Sequence, residues 1–433
     1  MALRRGGSYP PANRPATRNV TLSARKKALF VAEGVTLAHV GRPIRLASIL
    51  QRDGMVVELA CDPRYARFLT GLDFPVRSLR SIPSDTFLDA LAWGRPVFST
   101  ETLRAYVSED LSLLEAVRPD VVIGDFRLSL SVSARVAGIP YVNVTNAYWS
   151  PYARPHFEVP SLALTRLIGL PLAKALFPIA RPFAFAVHAI PMNRLRRAYQ
   201  LRPLGWDVRR VYCDGDLTLY ADIPELIPIF GSPPTHCYIG PVLWSPAVPL
   251  PLWWHEAIGG QPPIYVSLGS SGQAHLLPMV IEALVPLQRP IVVATAGRGA
   301  DLPRRPELWV TDFLPGEAIA AKACAVVCNG GSPTCQQALA NGVPVLGIAS
   351  NLDQYLNMDY IERFGAGKLI RSDSASATTI RQLARRALED PRQRERARAA
   401  AALVNAMRPE VEFPSAIRAL LEAAPQRFAK PEA

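Results

Sequence analysis

The chain has 433 residues and a mass of 47.3 kDa, which favours two domains, and 49% of its residues are hydrophobic, enough for large cores. Its formal net charge at pH 7 is +12, but no basic–aromatic pattern typical of nucleic-acid readers accompanies that charge. No uninterrupted apolar run reaches the ~18 residues of a spanning helix, so the sequence predicts neither a nucleic-acid partner nor a transmembrane segment.

Much of the positive charge lies at the N-terminus. The first 27 residues contain seven Arg and Lys residues and no acid, together with Pro and Gly. This composition predicts a disordered basic tail over residues 1–25, without the apolar core that a signal peptide requires. A solvated arm is the simpler interpretation, and contact with an anionic membrane or a nucleic acid is the alternative.

Strands and helices alternate in the first half, which indicates a parallel sheet with helices on both faces. The predicted strands cover 27–32, 55–60, 74–79, 120–125, 141–144 and 216–221. The predicted helices cover about 40–51, 63–72, 101–117 and 129–137. We assign residues 26–240 to this domain and residues 241–262, within a Pro- and Trp-rich stretch, to a linker.

The segment 160–191 differs from the rest of this domain. It is strongly apolar, carries only Arg166, Lys174 and Arg181 as charges, and is interrupted repeatedly by proline. Three interpretations fit it: a lid over an apolar acceptor pocket, a helix pair at a membrane surface, or ordinary core helices.

A second alternating series starts at Ile264 and predicts a second parallel sheet over residues 263–412. Its predicted strands cover 264–268, 291–294, 308–311, 325–328 and 343–348, and its predicted helices 276–287, 317–323, 332–340 and 375–389. A last helix over about 414–424, within residues 413–433, is long enough to pack back across the first domain. The predicted fold class is therefore α/β, with two Rossmann-like, doubly wound domains facing a central cleft.

The stretch from Ala325 to Gln354 is the most informative part of the sequence. A short buried strand runs into the turn Asn329-Gly330-Gly331, and Ser332 then serves as the predicted N-cap of a helix. A glycine turn that opens a helix exposes backbone N–H groups at the positive end of the helix dipole, which suits a phosphate. An ordinary strand–turn–helix unit without a ligand is the alternative.

Asp353 and Gln354 follow the next predicted strand, on the same rim of the sheet. A carboxylate beside an amide suits the hydroxyl groups of a sugar, so the stretch as a whole predicts a nucleotide-sugar site. Gly269 and Ser270 also end a strand of this domain and suit a phosphate contact.

His39 is the candidate base in the first domain. It lies just after the first predicted strand, at the carboxyl rim that faces the cleft. A histidine can accept a proton near neutral pH, and the transfer of a sugar to a hydroxyl needs such a base. Asp125 ends the fourth predicted strand on the same rim and could hold the imidazole in one tautomer. A solvated loop histidine and a helix N-cap are the corresponding structural alternatives.

The sequence predicts no metal site. The triplet from Asp214 to Asp216 resembles the metal-binding pair of one class of sugar transferases, but it precedes a strand and a turn is the favoured interpretation. The six cysteines form no C-x-x-C pair and no zinc spacing, which is typical of buried thiols in a reducing compartment. We therefore expect a cytoplasmic protein, in loose contact with the inner membrane surface if segment 160–191 lies there.

The amino-acid sequence of residues 325–354 resembles the donor-binding signature of the family 1, UDP-glycosyltransferase-like enzymes, which have the two-domain GT-B fold. The match falls on the glycine turn, the helix and the Asp-Gln pair, at Gly330, Gly331, Thr334, Asp353 and Gln354. Asn329 stands where the family usually has His, and Gln337 stands where a Glu often holds the ribose. The resemblance extends from about Lys26 to Ala424 and is closest to bacterial small-molecule and macrolide glycosyltransferases.

The resemblance implies an inverting glycosyltransferase that uses a UDP- or dTDP-hexose as co-substrate, with no cofactor. It implies that His39 is the general base and Asp125 its partner, and that Phe313 stacks on the nucleotide base. The implied donor-binding set is Gly269, Ser270, Phe313, Asn329, Gly330, Gly331, Ser332, Thr334, Gln337, Asp353 and Gln354. The apolar segment 160–191 suggests a lipophilic small-molecule or lipid acceptor. Two alternatives remain on the same fold: a non-catalytic auxiliary protein, and a nucleotide-sugar epimerase.

Overall fold

The computed structural model describes residues 25–298 and 302–428. Of the predicted tail 1–25, all but Arg25 lie outside the described residues. The prediction for that tail is therefore not addressed by the structure.

The first sheet contains seven parallel strands in the order β3-β2-β1-β4-β5-β6-β7. The strands are β1 Lys27–Ala32, β2 Val56–Cys61, β3 Val76–Ser78, β4 Val121–Asp125, β5 Tyr141–Thr145, β6 Leu217–Tyr220 and β7 His236–Tyr238. The central strands are nearly continuous apolar runs because helices cover both of their faces. The strand order reverses between β1 and β4, where Ala32 pairs with Asp125, and this reversal opens a crevice at the carboxyl rim.

The second sheet contains six parallel strands in the order β10-β9-β8-β11-β12-β13. The strands are β8 Ile264–Ser267, β9 Ile291–Ala294, β10 Leu308–Thr311, β11 Ala325–Cys328, β12 Val345–Ala349 and β13 Gly367–Arg371. Here the order reverses between β8 and β11, where Ser267 pairs with Cys328. The two-domain, doubly wound α/β prediction is confirmed.

Helices flank both sheets. In the first domain they are α1 Ala38–Arg52, α2 Ser84–Trp93, α3 Thr100–Val117, α4 Leu130–Ala137, α5 Ala163–Ile168, α6 Leu170–Ala198 and α7 Val208–Tyr212. The remaining helices are α8 Trp254–Gly259, α9 Leu277–Leu284, α10 Gly316–Ala320, α11 Ser332–Ala340, α12 Leu352–Phe364, α13 Ala377–Glu389, α14 Pro391–Ala406 and α15 Pro409–Phe428.

The two domains share packing as well as a cleft. Phe413 and Ile417 of α15 are fully buried in the core of the first domain, and the ring of Phe413 lies 6.2 Å from that of Phe30. Buried side chains from both domains also form one continuous hydrophobic cluster, which includes Tyr148 of the first domain and Leu314 of the second. The cleft is therefore bounded by packed surfaces on both sides.

Several elements differ from the sequence-based expectation. The short edge strand β7 lies inside the stretch that was expected to be irregular, because three residues are too few to show a strand period. The helices α2, α7, α12 and α14 and the strand β13 were not predicted, and the short helix α8 lies within the predicted linker. The last helix starts at Pro409, before the predicted start at 414, because proline is favoured in the first turn of a helix.

Helix α6 is the largest departure. It continues through Pro178, Pro182 and Pro191, although interior prolines usually break a helix. Lys174 and Pro178, whose carbonyls the next prolines leave without a partner, are both exposed, so water can bond those carbonyls. Segment 160–191 is thus one short and one long helix.

Candidate active site

A cavity of about 360 Å³ lies between the carboxyl rims of the two sheets, and both domains line it. Its lining includes most of the predicted site residues: His39, Asp125, Gly269, Ser270, Phe313, Asn329, Gly331, Ser332, Thr334, Gln337 and Asp353. Gly330 and Gln354 are the two predicted residues that are not part of the lining. The strand-order reversals of the two sheets explain why residues so distant in sequence meet here.

His39 lies in the first turn of α1 and faces the end of β4. Its Nδ1 is 2.8 Å from Oδ1 of Asp125, a residue that is only 1% exposed. Arg42, one turn further along α1, donates from Nε to Oδ2 of the same carboxylate at 2.5 Å and from Nη2 to Oδ1 at 3.0 Å. Burial raises the pKa of Asp125, but the charge of Arg42 and the hydrogen bonds from His39 outweigh burial, and the net pKa is lowered. Asp125 is therefore a carboxylate at neutral pH.

This geometry determines which nitrogen of His39 is free. A carboxylate can only accept, so Nδ1 carries the proton and donates it to Asp125. Nε2 is then left with its lone pair on the opposite side of a ring that lines the cavity. The arrangement suits a general base whose tautomer is fixed by its partner.

The network continues from Arg42 into the second domain. Arg42 donates from Nη1 to Oδ1 of Asn146 at 3.0 Å, and Asn146 donates from Nδ2 to Asp222 at 3.1 Å. On the other side of Asp222, Nε2 of Gln336 in α11 donates to Oδ1 at 3.0 Å. A chain of hydrogen bonds therefore links the His39–Asp125 pair to the helix that follows the glycine turn.

Sequence reasoning missed Arg42, Asn146 and Asp222, although signals for them exist. Arg42 is three residues after His39 on one helix, and that spacing places both on the same face. Asn146 follows β5, and Asp222 follows β6, just as Asp125 ends β4. Polar residues at the ends of three adjacent parallel strands share one rim of the sheet.

Burial raises the pKa of Asp222 to about 6. Hydrogen-bond donors, the backbone N–H of Ala147 first among them, lower this pKa but do not offset burial. A raised pKa means that the folded state holds this proton more tightly than the unfolded chain. The stabilising contribution is complete below about pH 4 and is lost as the pH rises through 6, about 3 kcal/mol in all. Asparagine does not titrate, so we expect the unfolding free energy of Asp222→Asn to show no such loss. The difference in unfolding free energy between wild type and Asp222→Asn should therefore change by about 3 kcal/mol between about pH 4 and pH 7. Urea titrations at several pH values between about 4 and 7 measure it, and parallel curves for the two proteins would contradict it.

Both N–H groups of the glycine turn are hydrogen-bonded within the turn, and that of Gly330 donates to Sγ of Cys328 at 3.3 Å. Oδ1 of Asn329 accepts from the backbone N–H of Gly331 at 3.1 Å, and Nδ2 of Asn329 donates to Ser271 Oγ at 3.1 Å. Gly330 has φ of +81°, and a Cβ there would lie 2.7 Å from Cγ of Met358, so only glycine fits. Gly330 therefore shapes the turn from behind the cavity.

The start of α11 differs by one residue from the prediction. Gly331 is the N-cap, and Ser332, the predicted cap, is the first helical residue. Its Oγ lies 3.4 Å from Oδ1 of Asn146 and does not cap the helix. The first N–H groups of a helix have no partner within the helix, so the start of α11 can still bind phosphate oxygens at the cavity.

The Asp-Gln pair is divided between two roles. Oδ1 of Asp353 accepts from Nε1 of Trp149 at 2.7 Å, across the cleft, and the residue lines the cavity. Gln354 is 1% exposed, and its Oε1 accepts from the N–H of Ser350 at 2.8 Å and, in a capping box at the start of α12, from the N–H of Asn351 at 3.4 Å. The predicted contact of Gln354 with a sugar hydroxyl stays a prediction.

Phe313, the predicted stacking partner of the nucleotide base, is covered from the first domain. The guanidinium of Arg67 lies 4.3 Å from its ring centre and the ring of Phe68 lies 5.2 Å away. Nearby, Gln337 donates from Nε2 to the carbonyl of Trp244 at 2.7 Å. A Cβ on Gly316 would lie 2.3 Å from Oε1 of Gln337, so any side chain at position 316 would displace the Gln337 amide.

The triplet from Asp214 to Asp216 has a structural role. Oδ2 of Asp214 accepts from Ser131 Oγ at 2.6 Å, and Oδ2 of Asp216 accepts from the N–H of Tyr141 at 2.8 Å. Tyr141 begins β5, so the triplet lies at the amino edge of the sheet, away from the cavity. Within residues 25–298 and 302–428, no cluster of three or more His, Cys, Asp or Glu could hold a metal ion.

The chain resembles a known protein family, characterised relatives and solved structures. Residues 278–417 match the family model described as erythromycin biosynthesis protein CIII-like, C-terminal domain. A PGL/p-HBAD biosynthesis rhamnosyltransferase of Mycobacterium bovis is 47% identical over 404 residues, which cover 93% of this chain and 89% of the relative. A PGL/p-HBAD biosynthesis glycosyltransferase of Mycobacterium tuberculosis is 47% identical over 377 residues, which cover 87% of this chain and 88% of the relative.

Among solved structures, the glycosyltransferase VinC in complex with dTDP has a TM-score of 0.66 and 17% identity, and the match covers 92% of this chain and 99% of VinC. This likeness supports the fold, and the two close relatives support the activity. The predictions of a GT-B fold and of a glycosyltransferase are both confirmed. The chain belongs to the family 1 glycosyltransferases of the GT-B fold and is an enzyme that uses a nucleotide sugar.

Proposed function

We propose that this glycosyltransferase moves a hexose from a UDP- or dTDP-linked donor to a hydroxyl group of a lipophilic acceptor, with inversion at the anomeric carbon. The observation that carries the proposal is the position of the His39–Asp125 pair. It lies in the same cavity as the start of α11 and Asp353, on the opposite domain. A base on one wall and an anion site on the other are what an in-line displacement needs.

In the proposed reaction, Nε2 of His39 takes the proton of the acceptor hydroxyl while its oxygen attacks the anomeric carbon. The bond between that carbon and the phosphate oxygen breaks, and the electron pair leaves with the nucleoside diphosphate. Asp125 stabilises the imidazolium that forms. We assign the charge of the leaving group to the backbone N–H groups at the start of α11, which act as electrostatic stabilisers without a cofactor.

For the donor, we propose dTDP-rhamnose as the first probe and UDP-glucose as the second. The Mycobacterium bovis relative is named a rhamnosyltransferase, and VinC was solved with dTDP. Asp353 would accept from sugar hydroxyls with the oxygen that Trp149 leaves free.

The acceptor half of the cavity supports a lipophilic substrate. Its wall is formed by apolar side chains of α2, α6 and the loops between them, which include Phe87, Leu91, Val97, Leu162, Phe177 and Phe185. Apolar walls with a few convergent polar groups are typical of sites that bind largely apolar molecules. The relatives are named for PGL/p-HBAD biosynthesis. From the apolar wall we propose a lipid-like acceptor for this chain.

The test is product formation. Purified protein is incubated with dTDP-rhamnose, dTDP-glucose or UDP-glucose and with 4-octylphenol or dodecanol as acceptor probes, and products are identified by mass spectrometry and by NMR of the anomeric proton. A glycoside of inverted configuration is the expected product. A rearranged sugar nucleotide formed without an acceptor would favour an epimerase. Tight donor binding without any product would favour an auxiliary protein.

We also propose that the enzyme works at the cytoplasmic surface of the inner membrane. Helix α6 carries an exposed apolar stripe at helical spacing, formed by Leu172, Leu176, Ile179, Phe183 and Val187, whose exposure ranges from 47% to 70%. Among the described residues it is the one helix long and apolar enough to span a membrane, yet its C-terminal half is anchored in the domain by buried residues such as Phe185, Met192 and Leu195. The helix contains basic residues and no acid, which favours an anionic lipid surface.

Charge on this stripe should weaken binding to vesicles. We expect Phe183→Asp to bind vesicles of phosphatidylcholine and phosphatidylglycerol at least about ten-fold more weakly than wild type, since burying a Phe side chain contributes about 1.5–3 kcal/mol. Leu252→Asp is the matched control, because Leu252 is fully exposed outside the stripe. Co-sedimentation measures the bound fraction. Equal binding by both variants would refute a role for the stripe. If wild type were a dimer and Phe183→Asp a monomer, the stripe would instead be assigned to self-association.

A further inference from the structure

The ring of Phe126 lies flat against the imidazole of His39. The two ring centres are 4.7 Å apart and the planes differ by 13°. Phe126 directly follows Asp125 in the chain. Asp125 therefore bonds the edge of the imidazole at Nδ1, and the next residue, Phe126, packs on its face. The carboxylate alone leaves the ring free to tilt, whereas a stacked ring fixes its plane.

This double contact requires an unusual backbone. In a strand, consecutive side chains point to opposite faces, so Asp125 and Phe126 could not both meet His39 if β4 continued. Phe126 instead has φ of 59°, in the left-handed region that a bulky residue rarely adopts. Such a conformation persists when the surrounding structure over-determines it, and it is often found at functional sites.

The next residue anchors this turn. Arg127 is fully buried and donates from Nε to Asp110 at 3.0 Å, from Nη1 to Glu33 at 3.0 Å and from Nη2 to Glu109 at 3.2 Å. A planar guanidinium with several bonded N–H groups cannot shift without breaking several bonds together. The backbone on the C-terminal side of Phe126 is therefore fixed.

Other aromatic rings hold Phe126 from the remaining sides. Its ring centre is 6.2 Å from Phe87, 5.8 Å from Phe98 and 5.5 Å from Tyr212. These tilted and edge-on contacts are favourable geometries for aromatic pairs. The ring beneath His39 is thus immobilised by both its backbone and its neighbours.

We infer that Phe126 is a positioning residue for the base. It holds the imidazole plane so that Nδ1 stays on Asp125 and Nε2 faces the acceptor. Its π face also attracts the positive charge that forms on the imidazole during transfer. The inference rests on the proposed function of His39 as general base.

The direct test is the tautomer of His39. Full-length protein labelled with ¹⁵N-histidine is studied by long-range ¹H–¹⁵N NMR at about pH 8.5, above the usual titration range of histidine. The His39 signals are assigned by their loss in His39→Gln. We expect a single Nδ1–H tautomer in wild type, a mixture of tautomers in Phe126→Leu, and recovery of the single tautomer in Phe126→Tyr. A single, unchanged tautomer in Phe126→Leu would overturn the inference.

Kinetics supply a second readout. With dTDP-rhamnose and 4-octylphenol, Phe126→Leu should lower kcat by roughly 10- to 100-fold while the donor Kd stays within about two-fold of wild type. Phe74→Leu is the matched control, since Phe74 is a buried phenylalanine of the first-domain core that lies outside the cavity, and its kcat should stay within about three-fold. A kcat of Phe126→Leu within about two-fold of wild type would contradict the inference. Full activity of His39→Gln would instead refute the proposed base.

Discussion

Replacing His39 with glutamine should lower kcat by roughly 10²–10⁴-fold, the contribution of a positioned general base. Glutamine keeps a hydrogen bond to Asp125 within reach but cannot take a proton at neutral pH. Donor binding should change little, because the proposed donor contacts lie on the second domain. Steady-state rates with dTDP-rhamnose and 4-octylphenol, together with calorimetry of dTDP, separate the two effects.

The matched control for this variant is His156→Gln. His156 also faces a carboxylate, with 3.3 Å between its Nδ1 and Oδ1 of Asp359, but it is 77% exposed and lies outside the cavity. Its replacement should leave kcat unchanged. Comparable rates for His39→Gln and wild type would show that another group takes the proton.

Replacing Asp125 with asparagine should have two effects. An asparagine can donate to Nδ1 and so favours the wrong tautomer of His39, which should lower kcat on the order of 10³-fold. It also leaves the guanidinium of Arg42 without its carboxylate in a site where Asp125 is 1% exposed. Removing one partner of a buried pair typically costs about 3–5 kcal/mol of unfolding free energy. Rates and urea denaturation measure the two effects separately.

Asp120→Asn is the control for both effects. Asp120 precedes the same strand β4 and pairs with Lys26 at 2.8 Å, but the side chains of Lys26 and Asp120 are 56% and 33% exposed. Exposed pairs contribute about 0–1 kcal/mol, so stability and rate should change little. If Asp125→Asn resembled Asp120→Asn in both measurements, the His39–Asp125 pair would have no role in orienting the base.

The fold and part of the site could be predicted because their signals are local. Buried parallel strands such as β1 and β11 are short apolar runs, and they were located to within a residue. The rule that ligands bind at carboxyl rims then brought His39 and Asp125 together without knowledge of their contact. The family resemblance added the donor side.

The remaining features depend on tertiary contacts that one sequence does not reveal. The side chain of Gln354 is used by a capping box at the start of a helix that was not predicted, and Trp149 meets Asp353 only because the domains close on each other. Helix α6 survives its prolines because the affected carbonyls lie near solvent. The left-handed turn at Phe126 has no composition signal, since neither glycine nor asparagine marks it.

The hydrogen-bonded chain from Arg42 through Asn146 and Asp222 to Gln336 has a consequence for modular engineering. The two domains of a GT-B enzyme are natural units to exchange between enzymes, because one domain binds the donor and the other binds the acceptor. In this enzyme, however, Asp125 and helix α11, to which we assign the orientation of the base and the binding of the donor phosphates, are joined by side chains from both halves. A chimera whose foreign donor half has no residue equivalent to Gln336 would leave the buried Asp222 with one hydrogen bond fewer. Asn146, which links Asp222 to Arg42, would then be held less firmly. We expect the hybrid enzymes that keep these interdomain hydrogen bonds to be the active ones, and this requirement should matter more than the match between donor and acceptor pockets.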